Sequence, residues 1–304
     1  MANSASERRR FLNCLPNNPT PLSLYQEYGA CEDSSPAIAM MAPMKPARLF
    51  SAAFALWAAV CGYPPGFAQA KSSALPAQSA TVTVPFVGCA SDGQVGPLKA
   101  PSGKSLAVAI PAAIAQRLAY YKAEYSAGVL APRGWHCFST YGSNGASLFV
   151  SPDPVESTTL LSLDWKGFTG PAVQISVSSG GTSGRFEVAK VIARVFPAYK
   201  AFAQSVIAEG IEPASDFPFD PYPSDKLTYR AKNVVEFETP ANTQGLGTDS
   251  RLQMNASPID GVAIVTGADT DLAQLSARVP ASDSDLIPTM VAQVEIEAAA
   301  TSAQ

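Results

Sequence analysis

Residues 131–145 (APRGWHCFSTYGSNG) hold the densest group of side chains able to do chemistry, with Arg133, Trp135, His136, Cys137 and Tyr141 set among Ser, Asn and three glycines. Trp and Tyr offer flat faces for stacking, Arg a fork for an anion, and glycine a close backbone approach. The stretch reads as a loop-rich surface, and Arg133, Trp135 and Tyr141 are its candidate ligand contacts. The competing account packs Trp135 on a Cys89–Cys137 bridge and leaves the glycines to shape turns.

His136 is the only histidine in the sequence, so multi-histidine metal centres are excluded, and no metal or cofactor is expected. A catalytic Cys137–His136 pair is disfavoured, because neighbours on a strand point to opposite faces. The enzymatic alternative is a serine hydrolase. Ser183 lies in residues 180–184 (GGTSG), just before a long helix whose free amides could hold an oxyanion, with His136 as the base. The run is not a nucleophile elbow, since Arg185 and not glycine stands two residues after Ser183. A plainer account has Thr182 or Ser183 cap the helix. The same turn, with Arg185, could instead hold a phosphate or carboxylate, so Arg185 is a further ligand candidate. Asp216, Asp220 and Asp225, in residues 216–225 (DFPFDPYPSD), raise paired carboxylates or a calcium loop. Their spacing fits no EF-hand, and the expected role is a rigid connector packed through its aromatic residues.

The elements that must position these groups begin well inside the chain. Residues 44–70 carry Lys45 and Arg48, an apolar run too short to span a bilayer, and Ala68-Gln69-Ala70, the pattern of a signal peptide cleaved between Ala70 and Lys71. Residues 1–43 read as an over-extended reading frame with the true start at Met40, Met41 or Met44, and residues 71–80 as a flexible tether. Setting aside the five basic and four acidic residues of 1–70, the full chain's 21 and 25 fall to 16 and 21. A mildly acidic chain has no basic stripe for a phosphate backbone, so nucleic acid is not an expected partner. No later run is long enough to cross a membrane. Of five cysteines, only Cys89 and Cys137 remain after residue 70, and an exported pair suggests one disulfide.

From residue 81 the pattern predicts strands at 81–88, 105–110, 148–151, 172–178, 227–229, 234–238, 262–266 and 275–279. A helix is expected over about 111–125, with Ile114, Leu118 and Tyr121 as its buried stripe. A longer, two-part amphipathic helix is expected over about 184–210, kinked or restarted at Pro197. Residues 286–297 lean to helix, and 298–304 read as a disordered tail. Few helices among many strands argue for a single α+β domain over 81–297 with a mainly antiparallel sheet.

The phrases GVLAPRGWHCFSTYGSNG, GGTSGRFEVAKVIARVFP and TPANTQGLGT resemble exported bacterial proteins of unknown function. The resemblance implies bacterial export and one shared domain, and brings no reaction or catalytic residue with it. The expected function is therefore a non-catalytic periplasmic or secreted protein that binds a ligand or an envelope partner. A hydrolase built on Ser183 and His136, and a structural component of an envelope assembly, are the alternatives.

Overall fold

A computed structural model describes residues 81–302, which belong to one compact unit, Lys71–Gln304. The expected extension at 1–43, signal peptide at 44–70, cleavage point and tether at 71–80 lie outside the described residues. Along the chain come β1 (Thr81–Val84), β2 (Phe86–Gly88), β3 (Ala90–Gly93), β4 (Leu106–Ala109), α1 (Ala112–Arg117), β5 (Leu118–Lys122), β6 (Val129–Pro132), β7 (His136–Gly142) and β8 (Gly145–Ser151). Next are α2 (Ser157–Leu160), β9 (Ala172–Ser178), α3 (Arg185–Val195), a 3-10 turn at Pro197–Tyr199, and α4 (Lys200–Ala208). The chain ends with β10 (Lys226–Ala231), β11 (Val234–Thr239), β12 (Ile259–Thr266), β13 (Asp271–Arg278) and α5 (Ile287–Ser302).

Eight strands form the main sheet in the order β10-β11-β12-β13-β9-β8-β7-β3, antiparallel throughout except that β3 runs parallel to β7. The fold is thus mixed α and β with a mainly antiparallel sheet. Two smaller sheets, β1-β4 and β2-β5-β6, flank it. The two-residue period of a strand sorts the main sheet's side chains into two faces. On the first face Leu148, Val150, Val173, Ile175, Val262, Ile264 and Leu275 join the small sheets and Met290, Val291 and Val294 of α5 in one core. On the second face a small cluster of Ala172, Leu252, Ile259 and Phe168 stands apart, and the larger apolar patch is on the β11–β12 side. There Val235, Phe237, Ala263 and Val265 meet Val188, Ile192 and Val195 of α3 and Ala203 and Val206 of α4 in a second core.

Three expectations change. The helix foreseen over 111–125 stops at Arg117, and β5 follows at once. Leu118, Ala119, Tyr120 and Tyr121 are buried in succession, which a strand enclosed on both faces achieves and a one-sided helix does not. Residues 131–145 are not a loop. They are the end of β6, a turn at Gly134 in the left-handed region (φ 88°), and most of the β7–β8 hairpin. Over 184–210, where a kink or a restart at Pro197 was open, two helices stand on either side of the 3-10 turn, because Pro197 has no N–H to continue the first. α5 also runs to Ser302, past residue 298 where a tail was expected.

A Cys89–Cys137 disulfide, Cα atoms 5.4 Å apart, ties the β2–β3 junction to β7. Trp135 packs partly buried against the same core. No helix among the described residues is long and apolar enough to cross a membrane.

A groove of about 630 Å³ runs between α5 and β10–β12, with Lys226–Glu238 (2.7 Å) and Arg230–Glu236 (2.8 Å) ion pairs on its wall. Asp260 lines it, and burial, together with the neighbouring Glu238 and against Lys226, pushes its carboxyl up to about 6. Because the folded value lies above the ordinary one, this group's stabilising contribution is complete below about pH 4 and is lost as pH rises through about 6. Asp260→Asn is expected to raise stability by about 1 kcal/mol at pH 8, a figure reduced for solvent screening, and to change nothing at pH 4. Thermal unfolding at the two pH values checks this, and an equal effect at both would reject it.

Candidate functional site

The second face of the main sheet changes character between β12 and β8. In β9 the order Gln174-Ile175-Ser176 and in β13 the order Gln274-Leu275-Ser276 put the aliphatic residue on the first face and polar residues on the second. Strand pairing sets Ser147, Ser176 and Gln274 in one row and Gln174 beside Ser276 in the next, where β8 contributes Phe149. The helix α3 lies over this face, but its apolar stripe is committed to the second core. A cleft of about 530 Å³ is left, with Ser147, Gln174, Ser176, Gln274 and Ser276 in its floor, Glu187, Lys190 and Arg194 of α3 as one wall, and Tyr222, Asp249, Ser250 and Arg251 at the rim.

The floor is a hydrogen-bonded lattice. Ser147 and Ser176 hydroxyls lie 2.8 Å apart, and Gln174 Nε2 donates to Ser176 Oγ at 2.7 Å. Gln174 Oε1 accepts from the Arg251 backbone N–H at 2.7 Å, and Gln274 Nε2 donates to the Leu246 carbonyl at 3.3 Å. Ser276 is 1% exposed, and its Oγ has no hydrogen-bond partner. An unpaired buried hydroxyl is costly, and Ser276 carries one in the lining of the cleft.

The walls are charged but balanced. Lys190 sits 3.2 Å from Glu187 and 3.1 Å from Glu212. Arg194 donates to the Asp220 carbonyl at 3.1 Å and stacks 3.6 Å from the centre of the Tyr222 ring, while Tyr222 Oη donates to Asp249 Oδ1 at 2.7 Å. Desolvation pushes the Asp249 carboxyl above its usual range, with Asp225 and Glu187 adding to it and the Tyr222 hydrogen bond and Arg194 opposing. Asp225 anchors the rim from beneath, its carboxylate accepting from Leu246 N–H and Thr239 Oγ1, both at 2.7 Å. The connector 216–225 therefore brings Asp216 and Tyr222 to the cleft and buries Phe217 below it.

The residues singled out in the sequence do not converge. Arg133 donates to the Leu118 and Ala115 carbonyls at 3.1 and 3.0 Å, holding α1 to β5. Trp135 is packed as described, with its N–H donating to Tyr121 Oη at 3.1 Å. Tyr141 lies near the other end of β7, its Oη donating to the Gly96 carbonyl at 2.6 Å. Arg185 pairs with Glu209 at 2.6 Å, clasping the start of α3 to the end of α4. Ser183 meets Ser143 at the β7–β8 tip, Oγ to Oγ 3.2 Å, whereas His136 begins β7. The length of that strand, roughly 20 Å, separates the two, so the structure does not bring them together as nucleophile and base. Glycine allows the tip to pack here: a Cβ on Gly184 would stand 2.2 Å from the Asn144 carbonyl oxygen. Helix α3 has Gly184 at its N-cap and no side-chain cap.

The cleft itself escaped the sequence reading, where Glu187, Lys190 and Arg194 look like a helix's solvent face. The available signal was the Gln and Ser alternation in β9 and β13. Among the described residues no group of three His, Cys, Asp or Glu is placed to hold a metal ion. With hydroxyls and amides below and three acids facing three bases above, the cleft can bind an uncharged or zwitterionic polar molecule and orient it by hydrogen bonds. Comparison of the chain with known protein families, with curated proteins and with solved structures gives no match.

Proposed function

We propose that this is an exported, non-catalytic protein that binds a small polar ligand between the second face of the sheet and α3. The single observation that carries the reading is Ser276, a buried and unpartnered hydroxyl in the floor of a polar cleft. The signal-peptide pattern of residues 44–70, the resemblance to exported bacterial proteins and the Cys89–Cys137 bridge support the export half, since disulfides persist in oxidising compartments. Balanced charge on the walls favours a ligand with little net charge.

The experiment uses the orphan hydroxyl directly. Ser276→Ala removes an unpaired buried polar atom, and so is expected to raise the stability of the empty protein by about 1 kcal/mol. The same change takes a partner from the ligand, and affinity should fall about tenfold for any polar metabolite found by thermal-shift screening. A variant that gains stability while losing binding is the mark of a functional site. A stability loss in Ser276→Ala, or unchanged affinity, would refute the assignment.

A further inference from the structure

Charge in the cleft is divided, not mixed. On the α3 side acids outnumber bases. Lys190 stands between Glu187 and Glu212, two carboxylates to one ammonium. Asp249 has Asp225 and Glu187 near it, with Arg194 opposing them, and its second carboxylate oxygen has no hydrogen-bond partner among the described residues. Over β8 and β9 the charge is positive. The Arg251 backbone is pinned at both polar groups, its N–H to Gln174 Oε1 and its carbonyl to the Phe168 N–H, each at 2.7 Å. Its guanidinium has no ion pair among the described residues and lies 5.8 Å from the centre of the Trp165 ring, which packs edge-on against Phe149 of β8. Arg278 adds a second positive charge, held by backbone carbonyls and two residues from Ser276 on the same face, roughly 7 Å away. Beside them Gln174 Nε2 keeps a second N–H after donating to Ser176, and Ser276 keeps its unpartnered hydroxyl.

We infer that the ligand of this cleft is a small zwitterion, a free amino acid or dipeptide, with its carboxylate at Arg251, Gln174 and Ser276 and its ammonium at Asp249. This rests on the cleft being a ligand site. A carboxylate only accepts hydrogen bonds, and the Arg251 end offers it three kinds of donor, one of them charged. An ammonium only donates, and Asp249 offers it a free acceptor where acids crowd together and a cation is welcome. The two ends are within reach of one small molecule. Asp249 and Arg251 are two residues apart through an extended Ser250 (φ −77°, ψ −168°), so their Cα atoms lie roughly 7 Å apart. A simple anion would meet Asp249 and Glu187, and a simple cation would meet Arg251 and Arg278. An uncharged sugar is the competing occupant. It could use the Ser and Gln floor, but it would leave the divided charge without a partner.

The test is calorimetric titration of the whole protein with each of the common amino acids, with Ala-Ala and with trehalose, followed by the N-acetylated and C-amidated forms of each amino acid or dipeptide that binds. At least one free compound should bind, and blocking either end should weaken it about tenfold. Arg251→Gln, at an exposed side chain, should weaken the free compound about tenfold and abolish the penalty of amidation, while the penalty of acetylation stays. Asp249→Asn, also exposed and still an acceptor for Tyr222, should do the converse. No binding by any amino acid or by Ala-Ala, blocked forms that bind as tightly as free ones, or an amidation penalty untouched by Arg251→Gln would each overturn the inference. The failures are separable. Trehalose bound in a Ser276-dependent way, with no amino acid or dipeptide bound, leaves the cleft standing and removes only the zwitterion. An amino acid whose affinity ignores Ser276→Ala refutes the cleft assignment itself.

Discussion

Replacing both Cys89 and Cys137 by alanine is expected to lower stability by about 4 kcal/mol. The bridge closes 48 residues of sequence, and the chain-entropy cost of that loop in the unfolded state gives the figure. Local contacts do not replace it. β2 and β3 are three- and four-residue strands, each with one parallel strand partner, β3 adding only an isolated bridge from Ser91 to Leu98, and the disulfide is the covalent link between their junction and β7. At the usual scaling for a domain of this size the midpoint should fall by roughly 10 °C. Thermal unfolding of the double variant measures it, and alanine is the right replacement because Cys89 is buried and a serine hydroxyl would add its own cost. A fall of less than about 2 °C would mean that the edge of the sheet is held by other means.

Arg278→Met is expected to cost about 3 kcal/mol, although it removes a buried charge. Arg278 is 2% exposed on the second face, and burial lowers its guanidinium below the usual range. Its Nη1 donates to the Phe168 and Gly170 carbonyls at 3.3 and 3.2 Å, and its Nη2 to the Gln253 carbonyl. Replacing a buried ion pair by apolar residues is often neutral, because both partners leave together. Here the partners are backbone carbonyls, which stay behind and lose charge-assisted bonds. The two loops involved pair through Phe168 N–H to the Arg251 carbonyl, 2.7 Å, and Gln253 N–H to the Phe168 carbonyl, 2.9 Å, and carry Ser250 and Arg251 to the cleft rim. Urea unfolding of Arg278→Met reads the cost. Unchanged stability would show that water takes over the three carbonyls.

Much of the sheet was legible because its strands obey a strict period. Residues 172–178 form β9 from end to end, and Val234, Val262 and Leu275 all lie in strands where the alternation put them. The cysteine pair was legible from export logic and arithmetic. Leu118 and Tyr121 misled, because their spacing from Ile114 fits a helical stripe as well as it fits a strand buried on both faces. Only the pairing of β5 with β2 and β6, which is non-local information, separates the two. The polar richness of residues 136–142 hid a strand, since its inner face meets the disulfide and its outer face is wet. The cleft was invisible for a related reason. Gln174, Ser176 and Ser276 signal a polar strand face, but sequence does not say whether such a face meets water or lies under a helix. That depended on α3 spending its apolar stripe on β11 and β12.

The proposed ligand site is the face of the sheet between β8 and α3. Side-chain amide resonances of Gln174 and Gln274, followed by nuclear magnetic resonance in the isotope-labelled protein during titration with pools of uncharged and zwitterionic polar metabolites and oligosaccharides, test it most directly. Saturable shifts are expected at both glutamines for at least one compound, with the midpoint about tenfold higher in Ser276→Ala. No saturable shift at either glutamine with any pool, or shifts confined to residues outside the cleft, would contradict it.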